Sequence, residues 1–515
     1  MNGDGAENTL SRRRFLGAAG AGATALMLPA GAAAAARPHP RGLLRTDHFG
    51  RIFRLRPFAE DSAKVRSALV ELGRPGGLLD AKDALSAGPK QLIVDPALSA
   101  NNPNNSSHTA GTTFFGQFLD HDITFDASSR LGQPTVPEQA RNFRTPALDL
   151  DSVYGAGPVA DQALYDPADH IKLKIESGGL FEDLPRRADG GAIVGDPRND
   201  ENLIIAGLHC AFLLFHNRAV DHVRGKGHLN EAASVFAEAR RLTTWHYHWL
   251  VLHEFLPQLV GQAMVDDVLR RRRRFYRVAA GEAFMPVEFQ TGAYRVGHSM
   301  VRPSYRANLA GHKGQPFFAL IFDPSHEGAA DPADLRGGCR APRRFVGWQT
   351  FFDFGDGEVK PNKKLDTKIS TPLFNLPLGA IASHDGPTSL AQRNLLRHLT
   401  WKLPSGQRIA RAMGVEPLAA TDLHELKYLG VGFEHSTPLW YYTLKEAELV
   451  ADGLHLGPVA GRIVAEVFIG LLQSDPASWV ASQPRWQPTM PAKRDSFRMT
   501  DFLTFAGVDP ASRNE

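Results

Sequence analysis

Residues 111–129 read GTTFFGQFLDHDITFDASS, a stretch in which apolar side chains recur at helical spacing. The pattern predicts a helix with one buried apolar stripe, formed by Phe114, Phe115, Phe118 and Leu119. Gln117, Asp120 and His121 are three and four residues apart and share one face, whereas Asp122 is rotated by about 100° from His121. A solvated polar edge would explain any one of these side chains. All four in one run favour a functional site, because a buried polar group needs a partner.

The composition is that of a large globular protein. The chain has 515 residues, a formal net charge of +3 and charges of both signs along its length. No basic arm indicates nucleic-acid binding, and no acidic tail indicates disorder. Cys210 and Cys339 are the two cysteines, too few for a disulfide scaffold or a cysteine-based metal cluster, and no C-x-x-C-H sequence is present to attach a c-type haem. We expect two separate thiols.

The N-terminus has the pattern of an export signal. The sequence SRRRFL at residues 11–16 precedes a weakly apolar, Ala/Gly-rich stretch and resembles the twin-arginine signal, although a basic terminus before low-complexity alanine is the alternative. We divide the chain into the signal (1–36), a linker (37–44), one large domain (45–480) and a C-terminal tail (481–515) that is expected to wrap the surface. No other apolar run approaches the roughly 20 residues that span a bilayer. The sequence therefore predicts a protein without a transmembrane span, in the periplasm or outside the cell.

A second polar cluster lies in the loop TPALDLD at residues 145–151. Oxygen-bearing residues occupy alternate positions there. Such a loop suits a hard cation such as calcium, which takes about six to eight oxygen ligands. Aspartate-rich turns are also common without an ion, so the loop alone leaves both interpretations open.

Two further segments have a structural and a functional explanation. Arg198 and Glu201, in GDPRNDEN, open a long periodic segment that runs to about residue 223, and an Arg/Glu pair is a common feature of a helix start. His298, in TGAYRVGHSM, is more often a core histidine in such apolar surroundings. The neighbouring glycines would nevertheless let a flat ligand approach closely.

The sequence pattern around the other histidines favours structural roles for them. The sequence HNR at residues 216–218 is interpreted as part of a buried polar network. The next predicted helix carries three histidines that could suggest metal ligands, but i,i+2 spacing points the first two away from each other. We therefore expect satisfied or exposed side chains at His246, His248 and His253.

In combination, these motifs resemble those of the animal-type haem peroxidases, the group of myeloperoxidase, thyroid peroxidase and peroxidasin. Five motifs occur in the family's order between about residues 42 and 479. The resemblance implies a secreted bacterial member with a large, mostly α-helical domain, few short strands and long irregular loops. Haem b would lie between the helices that carry His121, Arg198 and His298.

On the distal side, the resemblance assigns catalysis to three residues. His121 would take a proton from hydrogen peroxide and return it, Arg198 would stabilise the developing negative charge, and Gln117 would orient water or a small anion. Asp120 and Glu201 match the family's ester-forming carboxylates, which implies two covalent links to the haem. Asn202 stands where myeloperoxidase has a methionine, so a third, sulfonium link is not available.

On the proximal side, the resemblance makes His298 the iron ligand and Arg295 a partner of a haem propionate. Asn394 would accept a hydrogen bond from the second nitrogen of the His298 ring. The resemblance also implies a calcium site, with ligands from Asp122, Thr145, Ala147, Asp149 and Asp151. Asp151 replaces the family's serine and Ala147 its phenylalanine; the first change adds an anionic ligand.

The implied activity is reduction of hydrogen peroxide through a ferryl intermediate, with oxidation of halide, pseudohalide or a small organic donor. The sequence leaves the donor and the oligomeric state open. One alternative is a fatty-acid dioxygenase of the cyclooxygenase-like branch, which needs a tyrosine three residues before the proximal histidine; Arg295 occupies that position, and Tyr294 is one residue too early. Another is a non-catalytic, calcium-stabilised haem-binding or adhesion protein, which would not need both His121 and Arg198.

Overall fold

Helices dominate the fold. The structure is a computed structural model that describes residues 47–381, 383–492 and 496–514. It is 44% helix and 8% strand, so the predicted mostly α-helical fold is confirmed. The predicted export signal (1–36) and linker (37–44) lie outside the described residues.

The α-helices of the described chain vary from one turn to 23 residues. In chain order they are α1 Ala63–Leu72, α2 Gln91–Val94, α3 Gly111–Ile123, α4 Asp151–Tyr154, α5 Leu203–Gly225, α6 Ala232–Leu250, α7 Leu256–Val260, α8 Gln262–Arg271, α9 Gly297–Met300, α10 Leu390–Thr400, α11 Gly406–Met413, α12 Leu439–Val450, α13 Pro458–Ser474, α14 Trp479–Ser482, α15 Met499–Ala506 and α16 Pro510–Arg513.

The strands are short and form two-stranded sheets. They are β1 Phe49–Gly50, β2 Asn104–Thr109, β3 Glu176–Ser177, β4 Glu182–Asp183, β5 Met285–Pro286, β6 Ser304–Asn308, β7 Phe317–Leu320 and β8 Pro361–Lys363. β1 pairs with β5 in parallel, and the pairs β2–β8, β3–β4 and β6–β7 are antiparallel.

The predicted helix at residues 111–129 forms as α3, which ends at Ile123. Its apolar stripe is buried as predicted, and Phe118 stacks on Phe212 of α5 with ring centroids 4.4 Å apart. Tyr247 of α6 meets the edges of Phe115 and Phe118. Burial of a phenylalanine contributes about 1.5–3 kcal/mol, so these contacts fix the polar face of α3 relative to α5 and α6.

The long helix α5 begins later than its sequence pattern suggested. It starts at Leu203, and Asn202 caps it by accepting hydrogen bonds from the amides of Ile204 and Ile205. The preceding residues Pro197–Asp200 form a 3-10 turn, because the Asn202 cap has extended backbone dihedrals. Arg198 and Glu201 are therefore held on a tight turn before the helix.

α5 is the one helix of the described chain that is long and apolar enough to cross a bilayer by length and composition. The expectation that no further apolar run approaches that length overlooked it. In its most apolar window, 78% of the residues are buried inside the protein.

The C-terminal tail does not simply wrap the surface. In α15, Phe502 is fully buried and stacks on Phe215 of α5 with ring centroids 4.1 Å apart. The expectation failed because prolines and polar residues surround a short apolar segment that packs on the core.

The predicted structural histidines His216, His246 and His248 each have a hydrogen-bond partner, although Nδ1 of His248 has none among the described residues. His216 lies between the hydroxyl of Tyr154 and the carbonyl of Ile171. His246 bonds the Leu242 carbonyl and accepts from the amides of Thr489 and Met490, and His248 bonds the carbonyl of Leu148. His253 is exposed and stacks on Trp249. Cys210 and Cys339 are free thiols.

Candidate functional site

The distal side of the site is built around His121 on α3. Its ring is 3% exposed, and its Nδ1 lies 2.9 Å from Oδ1 of Asn199. The amide nitrogen of Asn199 lies 2.9 Å from Nδ1 of His209, a buried residue of α5. Since an amide nitrogen donates and an amide oxygen accepts, this arrangement puts a proton on Nδ1 of His121. The Nε2 atom of His121 is left with its lone pair.

Both imidazoles of this network are neutral near pH 7. Burial, and then the nearby charge of Arg198, lowers the pKa of His121 to about 3. Burial also lowers the pKa of His209 to about 4. His121 therefore has the properties of a neutral base with a fixed tautomer. Sequence reasoning missed Asn199 and His209; the only signal was a lone histidine within the apolar face of α5.

Arg198 lies beside His121 and is held firmly. Its guanidinium donates to Asp196 through Nε (3.0 Å) and Nη2 (2.8 Å), and Nη2 also donates to the backbone carbonyls of His121 and Thr124. Nη1 lies 3.6 Å from Oδ2 of Asp120. The two arginines near Asp196, Arg198 and Arg144, keep the pKa of its buried carboxyl well below the usual range. Asp196 was not predicted, and it fixes the direction of the Arg198 side chain.

The two predicted ester carboxylates lie next to this arginine. Glu201 accepts a very short hydrogen bond from the Gln117 amide, and Asn202 donates to Gln117 at 3.2 Å. Burial raises the pKa of Glu201 to about 7, although Arg198 opposes the shift. Asp120 keeps 33% of its side chain accessible, yet burial raises its pKa.

The proximal segment contains His298. A π-helical turn, Glu288–Ala293, precedes the short helix α9, and Nδ1 of His298 lies 2.8 Å from the amide of Asn394 on α10. Burial and the nearby Arg295 lower the pKa of His298 to about 3. Asn394 contacts His298 as predicted. The amide nitrogen of Asn394 faces the ring, however, whereas the prediction placed the amide oxygen there. The reason is that Oδ1 faces Arg295, with Nη1 of Arg295 at 3.5 Å.

The distal and proximal segments are in direct contact. The hydroxyl of Tyr294 donates to the Gly116 carbonyl of α3 at 2.8 Å, and the Thr113 hydroxyl lies 3.5 Å from the Met300 carbonyl of α9. These bonds bring together elements that are more than 170 residues apart in the chain. The segments that carry His121 and His298 therefore pack against each other.

Arg295 is an unpaired cation in this site. No carboxylate of the described residues lies within ion-pair distance of it; Nε donates to the Gln290 carbonyl at 3.0 Å. Burial, together with the charge of Arg397, lowers its pKa to about 10. Arg397 itself is paired with Asp126 at 3.1 Å. A partly buried guanidinium without a counter-ion is unfavourable, so this position suits an anionic group of a ligand.

The predicted cation ligands also come together. Carboxylate oxygens of Asp122, Asp149 and Asp151 lie within 4.8 Å of one another. The Thr145 hydroxyl lies 3.2 Å from Asp151, whereas Ala147 contributes an amide bond to the Thr145 carbonyl. Burial, and then the charges of the neighbouring aspartates, raises the pKa of Asp122 well above its usual value, and burial raises that of Asp151 to about 6.

A chain of charges connects the two sites. Arg144 lies 3.3 Å from Asp151 and 2.9 Å from Asp196, and Asp196 holds Arg198. The cation loop and the distal arginine are therefore joined by a continuous row of ion pairs.

Similar proteins share this fold. The structure of peroxidase A from Dictyostelium discoideum covers 90% of this chain and 93% of its own, with a TM-score of 0.61 and 15% identity. Fatty acid α-dioxygenase from Oryza sativa covers 81% of this chain and 76% of its own, with a TM-score of 0.54 and 14% identity. The fold is thus that of the haem peroxidase and α-dioxygenase class.

The sequence comparisons specify the family. The family model for animal haem peroxidase matches residues 126–324, a range that includes Arg198 and His298. Thyroid peroxidase from Sus scrofa is 23% identical over 435 residues, which is 75% of this chain and 44% of that protein. The chain spans less than half the length of the curated relatives it matches. Residues 126–324 thus have the sequence features that the animal haem peroxidase family model describes.

Proposed function

We propose that this protein is a haem peroxidase that reduces hydrogen peroxide and oxidises a halide, a pseudohalide or a small organic donor. The observation that carries the proposal is the neutral His121, whose Nε2 lone pair is fixed by Asn199 beside the locked Arg198. The test is an absorption spectrum of the purified protein, followed by stopped-flow addition of peroxide with bromide, thiocyanate or guaiacol. A haem spectrum with donor-dependent turnover is expected; a haem-free protein, or one inert to peroxide with all three donors, would refute the activity.

The residues present fit a haem. His298 is a neutral imidazole and would hold the iron through Nε2. In that state its proton would be on Nδ1, and the Asn394 amide would turn its oxygen to the ring, giving up the 3.5 Å contact of that oxygen with Arg295. The unpaired Arg295 suits a propionate, and Asp120 with Glu201 supplies two carboxylates. Bound haem supplies the redox chemistry, and the protein supplies ligation, orientation and proton transfer.

The side chains would divide the work on peroxide. Nε2 of His121 accepts the proton of the oxygen that binds and later delivers it to the departing oxygen. Arg198 stabilises negative charge on that departing oxygen, and Asp196 prevents the guanidinium from turning away. Gln117, held between Glu201 and Asn202, orients a water or a small anion near His121.

The solved α-dioxygenases of the same fold support a second candidate, oxygenation of a fatty acid. Tyr294 is buried near the site, but its hydroxyl donates to the Gly116 carbonyl. A dioxygenase would need a tyrosine three residues before His298, and Arg295 occupies that position. Oxygen uptake on addition of a long-chain fatty acid, abolished in Tyr294→Phe, would favour the dioxygenase. Unchanged peroxide turnover in that variant would favour the peroxidase.

Removing the Asn199 side-chain bonds is expected to slow the reaction with peroxide. Asn199→Val leaves His121 without its Nδ1 partner, and loss of such an orienting bond costs about 10–100-fold. Stopped-flow measures the rate constant, and ¹⁵N NMR of the histidines reports the tautomer. Asn142→Val is the matched control, because Asn142 is a buried amide that bonds the backbone at the end of α3 and does not contact His121. Equal rates in both variants would contradict the role of Asn199.

We also propose two ester links from the haem to Asp120 and Glu201. Both carboxyls have raised pKa values and lie beside Arg198. Acid–solvent extraction is expected to leave the haem on the protein, and mass spectrometry should find haem adducts on both peptides. Asp120→Asn should lose one adduct, whereas Asp126→Asn should keep both. Haem that extracts freely from the unaltered protein would rule out the links.

A calcium ion is proposed at Asp122, Thr145, Ala147, Asp149 and Asp151. Three converging carboxylates and a hydroxyl are the ligands that calcium prefers. Removal of calcium by a chelator is expected to lower the melting temperature. If calcium had been present at 100 times its Kd, the free energy of unfolding should fall by about 2.7 kcal/mol. Asp149→Asn should abolish the effect of the chelator on the melting temperature. The control is Asp169→Asn, which removes an aspartate that pairs with Arg224 at the surface, and it should keep that effect. Elemental analysis without calcium, together with an unchanged melting temperature, would contradict the site.

Export by the twin-arginine route to the periplasm or the extracellular space is likewise a proposal, which rests on residues 11–36 alone. Cell fractionation of the protein and of its Arg12→Lys/Arg13→Lys variant tests it; the variant is expected to stay in the cytoplasm, and equal export of both would refute it.

A further inference from the structure

A run of five arginines, residues 270–274, ends α8 and begins the following loop. Arg277 follows, and no acidic residue occurs between Asp267 and Glu282. Arg270, Arg271, Arg272, Arg274 and Arg277 are exposed. We call these five side chains the arginine surface. None of them belongs to the site around His121 and His298.

The backbone of this loop is held rigidly. The buried carboxylate of Glu466 on α13 accepts hydrogen bonds from the amides of Arg274, Phe275 and Tyr276, at 2.9, 2.7 and 2.9 Å. Arg273 points inward and donates to the Gln473 side chain and to two backbone carbonyls. Because Arg273 anchors the loop, its neighbours Arg272 and Arg274 are presented to solvent from a fixed frame.

Most of the charge is uncompensated. Arg271 is paired with Asp267 at 3.3 Å, but Asp267 is also bound by Arg462. No carboxylate of the described residues lies within 4.0 Å of the other four members of the arginine surface. Arg272 also adopts φ +63, a left-handed backbone conformation that is unfavourable for a side chain of this size. Repulsion among the arginines and backbone strain at Arg272 both destabilise this short segment. We infer that the positive charge binds a partner.

The neighbouring residues favour a lipid surface over a charged polymer. Leu269, directly before the arginines, is 39% exposed, and an apolar side chain among cations suits the boundary between headgroups and acyl chains. Mobile lipid phosphates can also adapt to the spacing of a compact cluster, whereas polymer phosphates come at fixed intervals. Guanidinium groups bind phosphates bidentately.

We propose that the arginine surface and Leu269 dock the protein on bilayers that contain anionic phospholipid. The proposal goes beyond the peroxidase function and does not depend on it. A cluster of four to eight basic residues contributes roughly a fivefold gain in binding per residue near an anionic surface. Five arginines are therefore enough for reversible attachment.

The test is flotation of the purified protein with vesicles of phosphatidylglycerol in phosphatidylcholine, compared with pure phosphatidylcholine. Binding to the anionic vesicles alone is expected, and it should fall on the order of a hundredfold in the Arg270→Gln/Arg272→Gln/Arg274→Gln variant. The matched control is Arg130→Gln/Arg187→Gln/Arg411→Gln, which removes the same charge from exposed arginines of three other segments and should bind within about twofold of the unaltered protein. Melting temperature shows that each variant folds.

The Leu269→Ser variant distinguishes binding to a lipid bilayer from binding to a charged polymer. It should weaken vesicle binding without changing retention on heparin or on DNA. Three results would overturn the proposal: no preference for anionic vesicles, equal binding by the two triple variants, or tighter binding to heparin or DNA than to vesicles with no effect of Leu269→Ser. Peroxide turnover is not part of the assay, so loss of the peroxidase function would not produce any of these results.

Discussion

Replacing His121 with alanine is expected to slow the reaction with hydrogen peroxide by about 10²–10⁴-fold, the usual contribution of a positioned acid–base group. The loss should be large because no other described side chain offers an unprotonated nitrogen at this position next to Arg198. Haem binding should persist, because the proposed iron ligand is on another segment. Stopped-flow measures the second-order rate constant, and the haem spectrum shows that the site is loaded.

The pH dependence gives the same account a second test. The pKa of His121 is lowered to about 3, so the base form persists as the pH falls. The rate constant of the unaltered protein should therefore stay level from pH 7 down to about 5, where an ordinary histidine with a pKa near 6.5 would already have been protonated. His424→Ala, at a side chain that is 74% exposed, is the control and should behave like the unaltered protein. A His121→Ala variant with an unchanged rate constant would remove the proposed base.

Replacing His298 with glycine is expected to abolish stable haem binding, because the iron loses its protein ligand. Glycine leaves room for an imidazole molecule, so added imidazole should restore the Soret absorbance in a concentration-dependent manner. His398→Gly controls for general loss of structure: His398 is a buried residue of α10 that accepts a hydrogen bond from the Trp440 amide and has no hydrogen bond to His298.

The two variants separate ligation from folding. If His298→Gly lost haem and imidazole restored it, whereas His398→Gly kept its haem or lost it irreversibly, His298 would be established as the ligand. A His298→Gly protein that retained haem with an unaltered spectrum would show that the iron is bound elsewhere.

Local patterns predicted the site better than its connections. Gln117, Asp120 and His121 share a face of α3 because helical spacing alone dictates it, and Asp122, Asp149 and Asp151 converge as the motifs implied. Asn199, His209 and Asp196 were missed because their roles depend on contacts between α3 and a turn almost 80 residues later. Nothing in a linear pattern reports such a distance.

The errors have related causes. The sequence 196–202 looked like a helix start, but the Asn202 cap breaks it into a 3-10 turn and α5. The polar, proline-containing tail was expected to wrap the surface, yet its Phe502 is buried against Phe215 of α5. The contact between Asn394 and His298 was predicted correctly, but the amide has the opposite orientation, because its oxygen accepts from Arg295.

The central claim is that one iron is bound by His298 on one face of a haem while His121 occupies the other face without binding it. Anomalous diffraction at the iron edge from crystals of the purified protein tests it directly. One strong peak is expected within bonding distance of Nε2 of His298, with Nε2 of His121 beyond bonding distance on the opposite side. No peak at this position, or a peak bonded to a different side chain, would contradict the account.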